Sequence, residues 1–319
     1  MGSMVGHIGP GLGFFAIGLW HLINHINFYF QNTTTYVSLP WFPSSFTRYL
    51  ELYLIMAGSC GSIAMELFIG PANHQPFDPS DWSIPSYHLH NFEHASISLT
   101  FLLYAVFALL LDKYQFQATT AKSPNPKPNT SMALLLAAAA FSQQLLMFHL
   151  HSTDHMGVEG QYHWLLQLII GVSLVTTILG IEYRRSFVVG FARSSSIMFQ
   201  GVWLFVMGIM LWTPKFIPKG CFMNMEEGHL VVRCHEEEDL HRAKSLVNIE
   251  FSWYLAGFMV LVMAIYLFLS RKHSYASLEL EYTPLQNPSD LESQRYKVGE
   301  SQSFVVTGQE TKGVVDLER

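Results

Sequence analysis

The chain has 319 residues, half of them hydrophobic and only 13% charged, against about 25% charged in an ordinary soluble domain. Its formal net charge is −6, and no basic face with interleaved aromatics exists to meet a polyanion, which excludes nucleic-acid binding. The apolar residues come in blocks rather than stripes, and a bilayer span needs about 20 such residues.

Seven blocks qualify, roughly 9–30, 49–70, 90–111, 131–151, 163–183, 188–213 and 248–270. They predict an all-α, seven-transmembrane helix bundle over residues 1–272, embedded in the lipid bilayer. The first block has no basic region before it and no small-residue cleavage site, so it reads as a retained span rather than a removed signal peptide. Its Gly9, Gly11, Gly13 and Gly18 allow close helix approach. His21 and His25, with Asn24 between them, share one face of that helix, and Glu51 opens the next block nearby. This second polar cluster suits ion binding, proton relay or a plain helix–helix contact. Cys60 reads as a small packing residue within the second block, which Glu66 closes.

The third block opens with His88, His90, Glu93 and His94. The fourth ends in His149 and His151, Asp154 and His155 follow, and His163 opens the fifth. His88, His151 and His155 suit the headgroup interface, and His149 is the more inward of its pair. Glu93, His94, His149 and His163 then stand at one membrane depth on three helices. Ionisable groups at that depth are expensive and tend to be functional. Zinc, or another divalent transition metal, takes such ligands, with Asp154 or Glu66 as a base beside it. No HExxH or CxxC spacing fixes the metal or the chemistry. A proton-coupled or purely structural polar network remains the alternative. Gln143, Gln144, Gln167 and Gln200 fit interhelical hydrogen bonding, and Trp20, Trp164, Trp203 and Trp212 fit interface anchoring or packing. Arg193, in the first third of the sixth block, is expected to snorkel to the interface.

Lys and Arg mark cytosolic loops. Arg48, Lys113, Lys122, Lys127, Arg184, Arg185, Arg271 and Lys272 fall on one side if the N-terminus is lumenal or extracellular and the C-terminus cytosolic. Loops 71–89 and 152–162 then lie outside and contain no Lys or Arg. The sequons Asn32-Thr33-Thr34 and Asn129-Thr130-Ser131 oppose this orientation, but such tripeptides are common by chance and the charge bias decides. Cys221 and Cys234 share the last outside loop, where they form a disulfide or remain two free thiols. Residues 273–319 read as a disordered cytosolic tail. Within it Tyr282-Thr283-Pro284-Leu285 fits a tyrosine-based sorting signal for a clathrin adaptor, pointing to Golgi or endosomal membranes or the plasma membrane.

Gly6-His7 through Pro10-Gly11, Ala64-Met65-Glu66, Glu93-His94-Ala95-Ser96, and the run His149-Leu150-His151, His155, His163 resemble the transmembrane protein 45 family, over about residues 4–272. The long, Phe-rich first loop and the tail look like its plant branch, sometimes labelled viral-response. The resemblance implies a seven-span endomembrane protein with no established activity. Animal members often carry Gln in place of Glu93, which leaves His94 the stronger candidate of the two. Seven-helix zinc hydrolases such as alkaline ceramidases and adiponectin-type receptors are similar in architecture only, since residues 248–270 contain no His. Three functions remain in order: a trafficking or scaffold protein, a metal-dependent intramembrane hydrolase, and a proton or metal-ion transporter.

Overall fold

The computed structural model describes residues 4–31, 33–70, 74–120, 130–150, 157–226 and 229–281. His151, Asp154, His155, Asn32, Asn129, Tyr282 and Leu285 lie outside the described residues. The chain divides into Met1–His273 and Ser274–Arg319.

Among the described residues seven α-helices run in chain order: α1 (Met4–Gln31), α2 (Leu50–Ala64), α3 (Leu89–Thr120), α4 (Thr130–Leu150), α5 (Gly157–Glu182), α6 (Phe187–Trp212) and α7 (Glu237–Glu281). Six of them, α2 to α7, are long and apolar enough to cross a membrane. Helix α1, whose sequence carries glycine, histidine and asparagine, is not among these six. A π-helical turn, Met65–Ile69, extends α2. Ser186 caps α6 by accepting from the Val189 N–H at 3.3 Å, which satisfies one of the amides left open by helical geometry. Glu237, Glu238 and Asp239 fill the first turn of α7, where the helix dipole favours negative charge.

The expectation of an all-α chain needs one correction. Two strands, β1 (Cys221–Glu226) and β2 (His229–Cys234), pair antiparallel between α6 and α7. Cys221 and Cys234 are partners in the register and are joined by a disulfide. Arg233 binds Glu226 across the hairpin. Met223 and the buried Val232 face the helical core.

Helix α6 is the axis of the bundle. The apolar window of α6 is 72% buried, against 11% for that of α7. The α1–α6 crossing is close because small residues meet there. A Cβ added at Gly18 would stand 2.3 Å from the Met198 nitrogen, and one at Gly201 would stand 2.3 Å from the Phe15 nitrogen. Gly9 and Gly13 face open space instead, so only Gly11 and Gly18 of the expected set serve this crossing. Such close approach replaces the hydrophobic drive that is missing between helices in lipid. Trp203 is fully buried beside α5, its Nε1 donating to the Tyr162 carbonyl at 3.0 Å. Helix α7 docks through long side chains: Phe251 and Phe258 against Phe199, and the Tyr162 hydroxyl donating to Glu250 at 2.6 Å. A second apolar cluster joins α2, α3 and α4 around Leu52, Tyr104, Ala105 and Ala140. Cys60 belongs to neither cluster; it is a free thiol on the exposed face of α2.

Candidate functional site

Four buried ionisable groups, His21, His25, Glu51 and Arg193, gather where α1 ends and α2 begins. Helix α1 runs ten residues beyond His21, about 15 Å at helical rise. The chain then folds back along it as an irregular segment, residues 33–49. Tyr36, Ser38, Trp41 and Phe42 of this segment are buried. Buried non-helical backbone carries polar groups that the protein must satisfy from within. The neighbouring helices supply the partners. Glu51 Oε2 accepts the Phe42 N–H at 2.8 Å. The Tyr104 hydroxyl donates to the Pro40 carbonyl at 2.9 Å. The Ser38 N–H donates to the Arg184 carbonyl at 2.7 Å. Arg193 Nη2 donates to the Leu39 carbonyl and to Ser38 Oγ.

Arg193 therefore does not snorkel. Its side chain is 3% exposed and turned into the bundle. A guanidinium has donors only, so the contact of Arg193 Nη2 with His25 Nε2 at 3.3 Å makes that nitrogen the acceptor. Neutral His25 then carries its proton on Nδ1 and donates it to the Tyr36 oxygen at 2.8 Å. Burial pushes the Tyr36 phenol up to about 12, so the hydroxyl stays protonated at neutral pH. A Cβ at Gly190 would lie 2.6 Å from that hydroxyl; the glycine is what admits Tyr36 to His25.

His21 and Glu51, both buried, meet at 2.7 Å between His21 Nε2 and Glu51 Oε1. The carboxylate accepts from Nε2–H and from the Phe42 amide, which leaves His21 Nδ1 with no partner among the described residues. One negative and one positive group thus share the enclosure without a direct salt bridge. His21, His25, the hydroxyls and the loop backbone bridge them. The expected trio His21, His25 and Glu51 is brought together, and Tyr36, Ser38, Tyr104 and Arg193 complete it.

At the opposite end of the bundle the polar residues are spread in pairs. Glu66 sits in the π-helical turn, a feature frequent at functional sites. It accepts from Asn91 Nδ2 at 2.7 Å and lies 3.5 Å from His94 Nδ1. His163 Nδ1 donates to the Glu159 carbonyl at 3.1 Å, and its ring lies 5.6 Å from those of His7 and Phe148. The His7 ring packs on Trp212 at 4.6 Å. His149 stands on an exposed face of α4, 3.4 Å from Gln167 Oε1. This differs from the inward position expected for it. His88, expected at the headgroup interface, is buried. Glu93 is half-buried. Among the described residues no three His, Cys, Asp or Glu side chains are placed to hold a metal ion together.

Asn91, Tyr36 and Ser38 escape a reading based on charge and histidine. The apolar stretch Tyr36 to Phe42, interrupted by Pro40, is the one sequence signal that this loop would be buried.

A family of unknown function, DUF716, matches residues 130–267. The match runs from the start of α4 into α7. It includes His149, His163, Arg193 and both hairpin cysteines, and begins after the α1 and α2 residues of the buried cluster.

Proposed function

We propose that the chain is a seven-span endomembrane protein of the transmembrane protein 45 type, acting in trafficking or as a partner-binding scaffold rather than as a catalyst. In this reading α1 is the seventh span, the N-terminus is lumenal and the C-terminus cytosolic. Arg48, Lys113, Arg184, Arg185, Arg271 and Lys272 at one end support that orientation. The disulfide-bonded hairpin at the other end suits an oxidising lumen. The observation that carries the non-catalytic reading is the use made of the buried charges. Glu51 and Arg193 are engaged with loop backbone and with each other's neighbours, and hold residues 36–42 in place. The tail pattern Tyr282 to Leu285 supplies the contact with a clathrin adaptor. Tyr282→Ala is expected to mislocalise the protein while His94→Ala leaves its function intact. The reverse pattern would sink the proposal.

The Glu66–His94 pair favours a second reading, a zinc or other divalent transition-metal centre that would draw in Glu93, His149 and His163. Such a centre would polarise substrate or activate water. Elemental mass spectrometry of the purified protein decides it: near one metal per chain, lost in His94→Ala and His149→Ala, supports the centre, and none retires it.

A further inference from the structure

Helices α1, α4 and α6 carry buried polar atoms that no described residue satisfies. They are His21 Nδ1, Arg193 Nη1, both amide atoms of Gln200 and Gln144 Oε1. These are not surface groups: His21, Arg193, Gln200 and Gln144 are 3%, 3%, 0% and 2% exposed. Their order along the bundle matters. Gln200 follows Arg193 by seven residues, which places it on the same face of α6 and about 10 Å deeper. Between those depths Ser196 and Ser173 join α6 to α5 by a hydroxyl hydrogen bond of 3.0 Å. Gln144 lies six residues before the end of α4, on the way to the opposite end. There Trp212 Nε1, beside His7, also lacks a partner among the described residues.

A protein interior at bilayer depth does not tolerate a ladder of unmet donors and acceptors. Water is the ligand that suits it. The set mixes donors (Arg193, Gln200 Nε2) with acceptors (His21 Nδ1, Gln200 Oε1, Gln144 Oε1), and buried water commonly makes about three such bonds. One end of the ladder is a histidine whose far nitrogen is bound to a carboxylate, the arrangement that lets an imidazole take a proton on one nitrogen while releasing one from the other.

We propose that these residues enclose a hydrated path that carries protons through the bundle. A proton arriving by water binds His21 Nδ1. The Nε2 proton passes to Glu51 Oε1, and Glu51 releases it on the side of residues 33–49. Return of His21 to its starting tautomer completes the cycle, so one proton enters for each that leaves. Arg193 offsets the Glu51 charge and keeps the path near neutrality.

Full-length protein in liposomes containing a pH-sensitive dye, under an imposed proton gradient clamped electrically with valinomycin and potassium, provides the test. The expected result is dye acidification at least tenfold faster than in protein-free vesicles. Gln200→Leu, which replaces the amide by an apolar group of similar size, is expected to bring the rate to the protein-free value while the protein remains monodisperse. Gln144→Leu, on a different helix, is expected to slow it at least threefold. A wild-type rate equal to that of empty vesicles overturns the proposal. So does an undiminished rate in both folded variants.

Discussion

The two ends of the bundle carry the same kinds of residue and use them differently. Where α1 meets α2, His21, His25, Glu51 and Arg193 are sealed under the chain's own first loop, and one of them or Tyr104 meets the Phe42 amide, the Leu39 and Pro40 carbonyls and the Tyr36 and Ser38 hydroxyls. At the opposite end Glu66, His94, His149 and His163 stand on separate helices, with His94 Nδ1 3.5 Å from Glu66 Oε1. The difference comes from the connecting segment. Residues 33–49 bring backbone donors and acceptors into the protein, and ionised side chains are stable there because they have that backbone to bind. No comparable described segment enters the other end. A buried loop thus holds one cluster of ionisable residues together, and without such a loop the residues of the other end stay on their own helices.

Substitutions at the two ends should therefore differ in their cost. The largest effect is expected at the crossing that supports the sealed end. Gly18→Val or Gly201→Val drives a side chain into facing backbone, and should abolish a monodisperse peak in size-exclusion chromatography. Gly9→Ala and Gly13→Ala, which meet nothing within 4 Å, should leave the peak unchanged. Next is Arg193→Leu, which strips the Leu39 carbonyl and His25 Nε2 of their donor and leaves Glu51 without its countercharge. Breaking a buried charge set of this kind costs about 3–5 kcal/mol, read as a fall in melting temperature in detergent. At the other end, Cys221→Ser opens a disulfide loop with a sequence separation of 13. A loop of that size contributes about 3 kcal/mol, and the loss should appear as faster proteolysis between residues 221 and 234. The smallest effect belongs to His149→Ala, whose ring stands on an exposed face of α4, 3.4 Å from Gln167 Oε1; its melting temperature should match the wild type.

Hydropathy made the helices legible because long apolar blocks have few other uses. Its failures are instructive. Helix α7 begins at Glu237, eleven residues before its apolar block, since a charged first turn favours a helix without adding hydrophobicity. The hairpin was hidden in a loop whose cysteines marked its base but not its strands. Arg193 misled because a long cation early in a span ordinarily reaches for water; it turns inward here for a carbonyl on a loop that pattern reasoning leaves outside. His21, His25 and Glu51 were legible from i, i+4 spacing. Their meaning was not, because it depends on Tyr36, Ser38 and Phe42, which touch them only after the chain folds back.

The sealed loop can be tested at one atom. Ser38 is fully buried, with its hydroxyl accepting from Arg193. A Ser38→Cys variant, with the exposed Cys60 changed to Ala, should resist a membrane-impermeant maleimide in purified folded protein and become reactive when Arg193→Leu is added. Rapid labelling of Ser38→Cys with Arg193 intact would contradict the account, showing that the loop does not close over the His21–Glu51 and His25–Arg193 cluster.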